Sequence, residues 1–331
     1  MTMTKPTTPS AKTADAEKTP LKILMLHGFT QSGELFRAKA RALEKHLQKS
    51  LPTHTLTFVY PTGPIKLNPD DIPFKTSPDT TPTDPSTSTP EISAHAWWRR
   101  STTAEPPVYL GLDTGLESIA RILSTDGPFD GVIGFSQGAA CAAIVASLLE
   151  PDRRAAFDYF SDPKHASTYR TTNCSATTIP SESAGATPIA GIPFPAAFEG
   201  VSGVHPQLKF AVCYSGFRAP GPRYRAFYER PAIGTPVLHV LGSLDAVVEE
   251  GRSRMLIAAC EGDAEGEGRV LVHPGGHFLP SQRKYLDYVA GFIGGILRGE
   301  NNQGVGGEKA EQGKRKKSMG EVPVEDMDVP F

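Results

Sequence analysis

The stretch Phe129-Asp130-Gly131-Val132-Ile133-Gly134-Phe135-Ser136-Gln137-Gly138-Ala139-Ala140 decides the fold. An apolar run leads into Gly134-Phe135-Ser136-Gln137-Gly138, and an Ala-rich helical run leaves it. This is a G-x-S-x-G pattern in the strand–turn–helix setting of a nucleophile elbow. The serine then sits on a sharp, strained turn, and the small glycines let strand and helix backbones pass close to it. At about 7% glycine usage, roughly one chain in ten of this length carries the five-residue pattern by chance. The flanking strand and helix give it weight, provided that a base and an acid follow downstream.

Working outward, short apolar runs alternate with helical ones. Upstream, Leu21–Leu26 reads as a buried strand that ends in the loop His27-Gly28-Phe29-Thr30-Gln31-Ser32-Gly33. Ser32 is placed to cap a helix over about 34–49, with Leu35, Ala38, Leu43 and Leu47 towards the core. Thr55–Tyr60 is a second strand. Leu112, Leu116, Ile119, Ala120 and Leu123 follow at helical spacing, closed by Gly127 and Pro128. Downstream of the elbow helix, strands are expected at Leu208–Tyr214, Thr235–Leu241 and Arg269–His273. Helices are expected at about 247–260 and 281–297.

Two stretches interrupt the rhythm. Residues 66–93 are rich in Pro, Thr, Ser and Asp and read as a low-complexity surface insertion. Residues 151–206, after the nucleophile helix, read as a lid-like insertion over the strand ends. The expected organisation is a disordered tail at 1–19, one domain over 20–298 carrying both insertions, and a disordered tail at 299–331. Alternating strands and helices predict an α/β fold: a mostly parallel central sheet with helices on both faces.

Composition narrows the classes. The 331 residues carry 39% hydrophobic and 21% charged residues and a formal net charge of −2. That balance offers no global attraction to nucleic acid or to an acidic membrane. No apolar run reaches the roughly 18–20 residues of a membrane span. Met1–Pro20 lacks an apolar signal core. Cys141, Cys174, Cys213 and Cys260 are far apart, so neither zinc nor a disulfide framework is indicated. A cytoplasmic, reducing location is expected. The basic run Lys314-Arg315-Lys316-Lys317 leaves nuclear import open, although such a run in a polar tail is usually only solvated.

In open α/β sheets reactive groups gather at the carboxyl ends of the strands. There the chain offers Ser136, then Asp245, then His277, in the order of an α/β-hydrolase. A serine hydroxyl needs a base to take its proton. His277 is the expected base and Asp245 the group that orients it. Backbone N–H groups of Phe29 and Gln137 are the expected oxyanion donors, so their side chains carry no information. The competing readings are Ser136 as a turn serine, Asp245 as a helix cap and His273 as a rival base. His273 sits at the strand end and reads as structural. Trp97, Trp98 and Phe217 are weaker candidates for pocket walls, with core packing as the alternative for the tryptophans. No metal or cofactor is called for, and no nucleotide-binding pattern is present.

Four segments together resemble the fungal family of serine hydrolases (FSH type). They are Leu26–Ser32, Phe129–Ala139, Tyr214-Ser215-Gly216-Phe217 and His273-Pro274-Gly275-Gly276-His277-Phe278-Leu279-Pro280. The resemblance covers about residues 21–297 apart from the insertions. It implies an α/β-hydrolase fold and carries nucleophile, acid and base onto Ser136, Asp245 and His277. The expected activity is cleavage of small-molecule carboxylic esters or thioesters through an acyl-enzyme. The alternatives are a thioesterase that releases acyl or polyketide chains in a fungal biosynthetic pathway, and a non-catalytic α/β-hydrolase binding protein. The acyl group, the leaving group and the oligomeric state are open.

Overall fold

The computed structural model describes residues 18–68, 71, 94–168 and 187–299. In chain order the strands are β1 (Thr19–Leu26), β2 (His54–Val59), β3 (Ile65–Lys66), β4 (His95–Ala96), β5 (Arg99–Arg100), β6 (Tyr109–Leu110), β7 (Gly131–Phe135), β8 (Phe210–Tyr214), β9 (Val237–Gly242) and β10 (Val270–His273). The helices are α1 (Gly33–Ser50), α2 (Leu112–Thr125), α3 (Gln137–Leu148), α4 (Arg153–Ser161), α5 (Glu250–Ile257) and α6 (Arg283–Leu297). Six strands form one parallel sheet in the order β10-β9-β8-β7-β1-β2. The short pairs β3–β4 and β5–β6 are antiparallel.

Side chains alternate across the sheet, as the pleat requires. Leu21, Ile23 and Met25 of β1 join Phe210, Val212 and Tyr214 of β8 in the core under α1 and α6. Leu24 and Leu26 join Val132, Ala211 and Cys213 in the core under α2 and α3. Burial on both faces explains why these strands read as continuous apolar runs.

Ser32 caps α1, its Oγ accepting the Leu35 N–H at 3.2 Å. The helix buries Phe36, Ala40, Leu43 and Leu47. The expected Leu35 and Ala38 are not on that face: Leu35 is half-buried and Ala38 exposed. The core stripe runs at i, i+4, i+7 and i+11 from Phe36, which has more apolar surface to bury than Ala38.

Helix α3 is buried along its whole length. The sheet covers one side. The segment Pro222–Phe227 and α4 cover the other, through Phe157, Phe227 and the Ser147 Oγ bond to Phe227 O. A helix with apolar residues all round has to be enclosed in this way. Glu150, just beyond α3, accepts Thr235 N–H at 2.8 Å and Arg153 at 2.6 Å. That bond ties the helix end to the amino end of β9.

The insertion expected after the elbow helix is present, and several bonds fix its described parts. Gly191 N–H reaches Phe160 O, and the His205 ring accepts Phe129 N–H at 2.8 Å, ahead of β7. Ile192 N–H reaches Arg223 O, so the described parts join both the Pro222–Phe227 segment that covers α3 and, through His205, the chain ahead of β7. Residues 169–186, most of the 66–93 insertion and nearly all of both expected tails, with Lys314–Lys317 and Cys174, lie outside the described residues. The described chain begins a little earlier than expected, because β1 starts at Thr19.

Among the described residues, no helix is long and apolar enough to cross a membrane.

Candidate active site

The strand order reverses beside β1: β2 lies on one side of it and β7 on the other. The crevice at such a switch point, outside the carboxyl ends, is where open α/β sheets bind ligands. Ser136 is the first residue beyond β7 and lies in this crevice. Its backbone has φ 53° and ψ −117°, a strained conformation for a residue with a side chain. The strain is held in place by Ser136 N–H bonding to Tyr214 O at 2.8 Å, and by Ser136 O accepting from Ala139 and Ala140 at 3.0 Å. The elbow closes only because Gly134 and Gly138 lack side chains. A Cβ on Gly134 meets Gly138 O at 2.1 Å, and one on Gly138 meets Leu26 O at 2.0 Å.

The first loop is fixed beside the elbow by His27. The ring Nδ1 donates to Gly28 O at 2.7 Å, and Nε2 accepts Gly63 N–H at 2.8 Å. Both nitrogens are therefore used, and burial pushes the imidazole down to about 4, so it stays neutral. It shapes the loop, and neither ring nitrogen is left free. Thr30 and Gln31 N–H groups bond to His95 O and Gly28 O. Phe29 N–H has no acceptor among the described residues, which leaves it available to a ligand.

The side chain of Gln137 does more than was expected of it. Its Oε1 accepts Trp97 N–H at 2.9 Å and its Nε2 donates to Trp98 O at 2.8 Å. Gln137 thus anchors the Trp97–Trp98 segment to the elbow helix. A polar amide opening an Ala-rich buried helix was the available sequence signal. Gln137→Ala leaves a buried N–H and a buried carbonyl unpaired, and is expected to cost about 2–4 kcal/mol in urea denaturation. A loss below about 0.5 kcal/mol would show that the amide anchors nothing.

Asp245 lies in the loop after β9 and His277 in the loop after β10. His277 Nδ1 donates to Asp245 Oδ2 at 2.8 Å, and the aspartate side chain is 3% exposed. The other oxygen, Oδ1, accepts Val247 and Val248 N–H groups at 2.9 and 2.8 Å. Oδ1 thus holds the turn ahead of α5, whose N-cap is Glu249, so Asp245 does not cap that helix, and Oδ2 is the oxygen that faces His277. Burial works against the charge on Asp245. Bonds from His277, Val248 N–H and the Ser215 hydroxyl outweigh it and hold the carboxyl down to about 2. Ser215, at φ 49° just beyond β8, is a contributor that sequence reasoning missed. Its signal was its place at a strand end beside the elbow.

The Phe135 ring, adjacent to Ser136, lies 4.8 Å from the His277 ring. The structure forms no hydrogen bond between Ser136 and His277. In substrate-free enzymes such contacts are often long and tighten on binding. His273 is buried, accepts Gly275 N–H and packs against Tyr285 and Phe278, so it serves the turn that carries His277.

A depressed carboxyl stabilises the fold above its unfolded value of 3.8, and the gain is lost as pH falls towards about 2. The stability gap between the wild type and Asp245→Asn, read by urea denaturation, is expected to be full at pH 6 and to shrink between pH 4 and pH 2. A gap independent of pH would mean that the charge is not what is stabilised.

Of the pocket candidates, Trp97 is fully buried against His27, its indole N–H donating to His27 O at 3.0 Å. Trp98 stacks on Tyr109, and Tyr109 on Tyr224. Phe217 carries the Arg252 guanidinium 4.2 Å above its ring. A groove of about 560 Å³ between α2 and residues 195–201 contains none of the predicted site residues. No group of three His, Cys, Asp or Glu side chains suited to a metal occurs among the described residues.

The family model described as Serine hydrolase (FSH1) matches residues 16–289. A Schizosaccharomyces pombe protein named Dihydrofolate reductase is 29% identical over 83% of this chain, which spans about half, 47%, of that protein. Esterase OVCA2 of Danio rerio is 29% identical over 82% of this chain and 98% of its own length. Among solved structures, acyl-protein thioesterase 2 of Zea mays aligns over 86% of this chain and 97% of its own, at 19% identity and a TM-score of 0.47.

Proposed function

Since the chain belongs to the FSH1 serine hydrolase family, we propose that it hydrolyses small-molecule carboxylic esters or thioesters through an acyl-enzyme on Ser136. The observation that carries this reading is the half-buried Asp245–His277 pair beside a strained serine at the switch point. With Nδ1–H held by Asp245, the lone pair of His277 is on Nε2. That nitrogen takes the Ser136 proton as Oγ attacks the substrate carbonyl carbon. The resulting oxyanion is met by the N–H groups of Phe29 and Gln137. Collapse breaks the ester or thioester bond, and His277 returns its proton to the leaving alcohol or thiol. Water, deprotonated by His277, then attacks the acyl-enzyme and releases the acid.

The same apparatus serves a thioesterase that frees acyl or polyketide chains from a carrier, and the ester reading and this one differ only in leaving group. A binding protein without catalysis has no need of all three residues. We read residues 20–298 as a single catalytic unit in a reducing, cytoplasmic setting, in keeping with the free, buried thiols of Cys141, Cys213 and Cys260. A fluorophosphonate probe is expected to label the protein, with the modified peptide mapping to Ser136. 4-Nitrophenyl esters and N-acetylcysteamine thioesters of matched chain length then decide the leaving group. A labelled protein that turns over neither series would remove both substrate classes.

A further inference from the structure

Arg252 is out of keeping with the other arginines around it. Arg218 and Arg225 share Glu229, and Arg254, on the same helix, holds Glu250 and Glu265. Arg252 is half-buried, yet its guanidinium has no ion pair or hydrogen bond among the described residues; only its backbone N–H is bonded, to Glu249 O. The face of its guanidinium rests on Phe217, which leaves its N–H edge donors unused. Burial without a partner lowers its affinity for its proton, and Arg100 acts on it in the same direction. A partly desolvated guanidinium with no ion-pair partner and a second cation acting on it is an unfavourable arrangement.

The place of Arg252 explains what such an arrangement can be for. It lies in the first turn of α5, and its neighbour Ser253 bonds to Gly216 O at 2.7 Å. That bond seats the helix on the Ser215–Phe217 loop, beside the elbow. Asp245 is among the charges that act on Arg252, but both of its oxygens are taken by His277 and by backbone N–H groups. Glu249 is exposed and stays beyond ion-pair distance.

We propose that Arg252 receives an anionic group of the substrate, so that an ester or thioester bearing such a group is preferred over its uncharged counterpart. This rests on Ser136 being the nucleophile. A guanidinium edge pairs with carboxylate and phosphate alike. The anion therefore comes either from a second carboxylate on the acyl chain or from a phosphate on the thiol leaving group.

Two charge-matched pairs test the proposal. The first is the 4-nitrophenyl monoester of glutaric acid against 4-nitrophenyl pentanoate. The second is butyryl-CoA against butyryl-N-acetylcysteamine. In the wild type, kcat/KM is expected to favour the anionic member of one pair by about tenfold or more, and the responding pair identifies the source. Arg252→Gln is expected to bring that ratio to within about twofold of unity, and Arg252→Lys to keep an intermediate ratio. Should Arg252→Gln fail to fold, inhibition of the wild type by glutarate against pentanamide reads the same preference without a variant. Charge indifference in both pairs overturns the proposal, as does a full preference surviving in folded Arg252→Gln. A protein not labelled at Ser136 sinks the serine-hydrolase reading, whereas a labelled protein indifferent to charge sinks only the role of Arg252.

Discussion

Ser136→Ala is expected to lower kcat by about four orders of magnitude or more and to abolish fluorophosphonate labelling, with the fold unchanged. The size follows from chemistry. Without Oγ no acyl-enzyme forms, and what remains is the modest assistance of positioned N–H donors. The fold survives because Oγ makes no hydrogen bond among the described residues, and the backbone bonds to Tyr214, Ala139 and Ala140 do not use it. Alanine also relaxes nothing at φ 53°, since the strain there is a backbone property of any residue with a Cβ. Far-UV dichroism and urea denaturation should therefore match the wild type while turnover disappears. Equal labelling of both proteins would sink the nucleophile assignment.

The second large effect is expected from a single methyl group. In Gly138→Ala the new Cβ falls 2.0 Å from Leu26 O and 2.5 Å from His27 O. Both neighbours are backbone, so no flexible side chain can move aside. The amino end of α3 must shift away from β1, and it takes the N–H of Gln137 with it. Overpacking of this kind costs about 3 kcal/mol. A displacement near 1 Å between the two proposed oxyanion donors is expected to cost about 100-fold in kcat. Gly200→Ala is the matched control, because nothing lies within 4 Å of a Cβ there. Urea denaturation and ester turnover of the two variants should diverge sharply. If Gly138→Ala behaved like Gly200→Ala, the close passage of α3 over β1 would be wrong.

The core of the fold was legible because parallel strands buried on both faces have to be apolar throughout. The runs at β1, β7, β8 and β9 were accordingly found to within a few residues. The short pairs β3–β4 and β5–β6 were not found, since two residues carry no periodicity. Helix α4 was read only as part of the insertion at 151–206. Its buried residues, Arg153, Ala156, Phe157 and Phe160, include an arginine neutralised by Glu150, and a burial pattern that contains a charge defeats an apolar template.

At the proposed site, residues with a reactive side chain at a strand end were visible. Residues that act by holding others were not. Ser136, Asp245 and His277 each follow a strand and have a reactive side chain. Ser215 and the Gln137 amide contribute through bonds to partners distant in sequence, and spacing along the chain does not encode those bonds.

The enclosure of α3 bears on how this protein loses activity. Every residue of that helix is covered, by the sheet on one side and by α4 and Pro222–Phe227 on the other. Its amide protons therefore belong to the slowest-exchanging class, released only when the whole domain opens. The strained elbow is built on the part of the molecule that frays last. The proposed nucleophile is then expected to keep its aim up to the unfolding transition, with heat inactivation and global melting coinciding as one event.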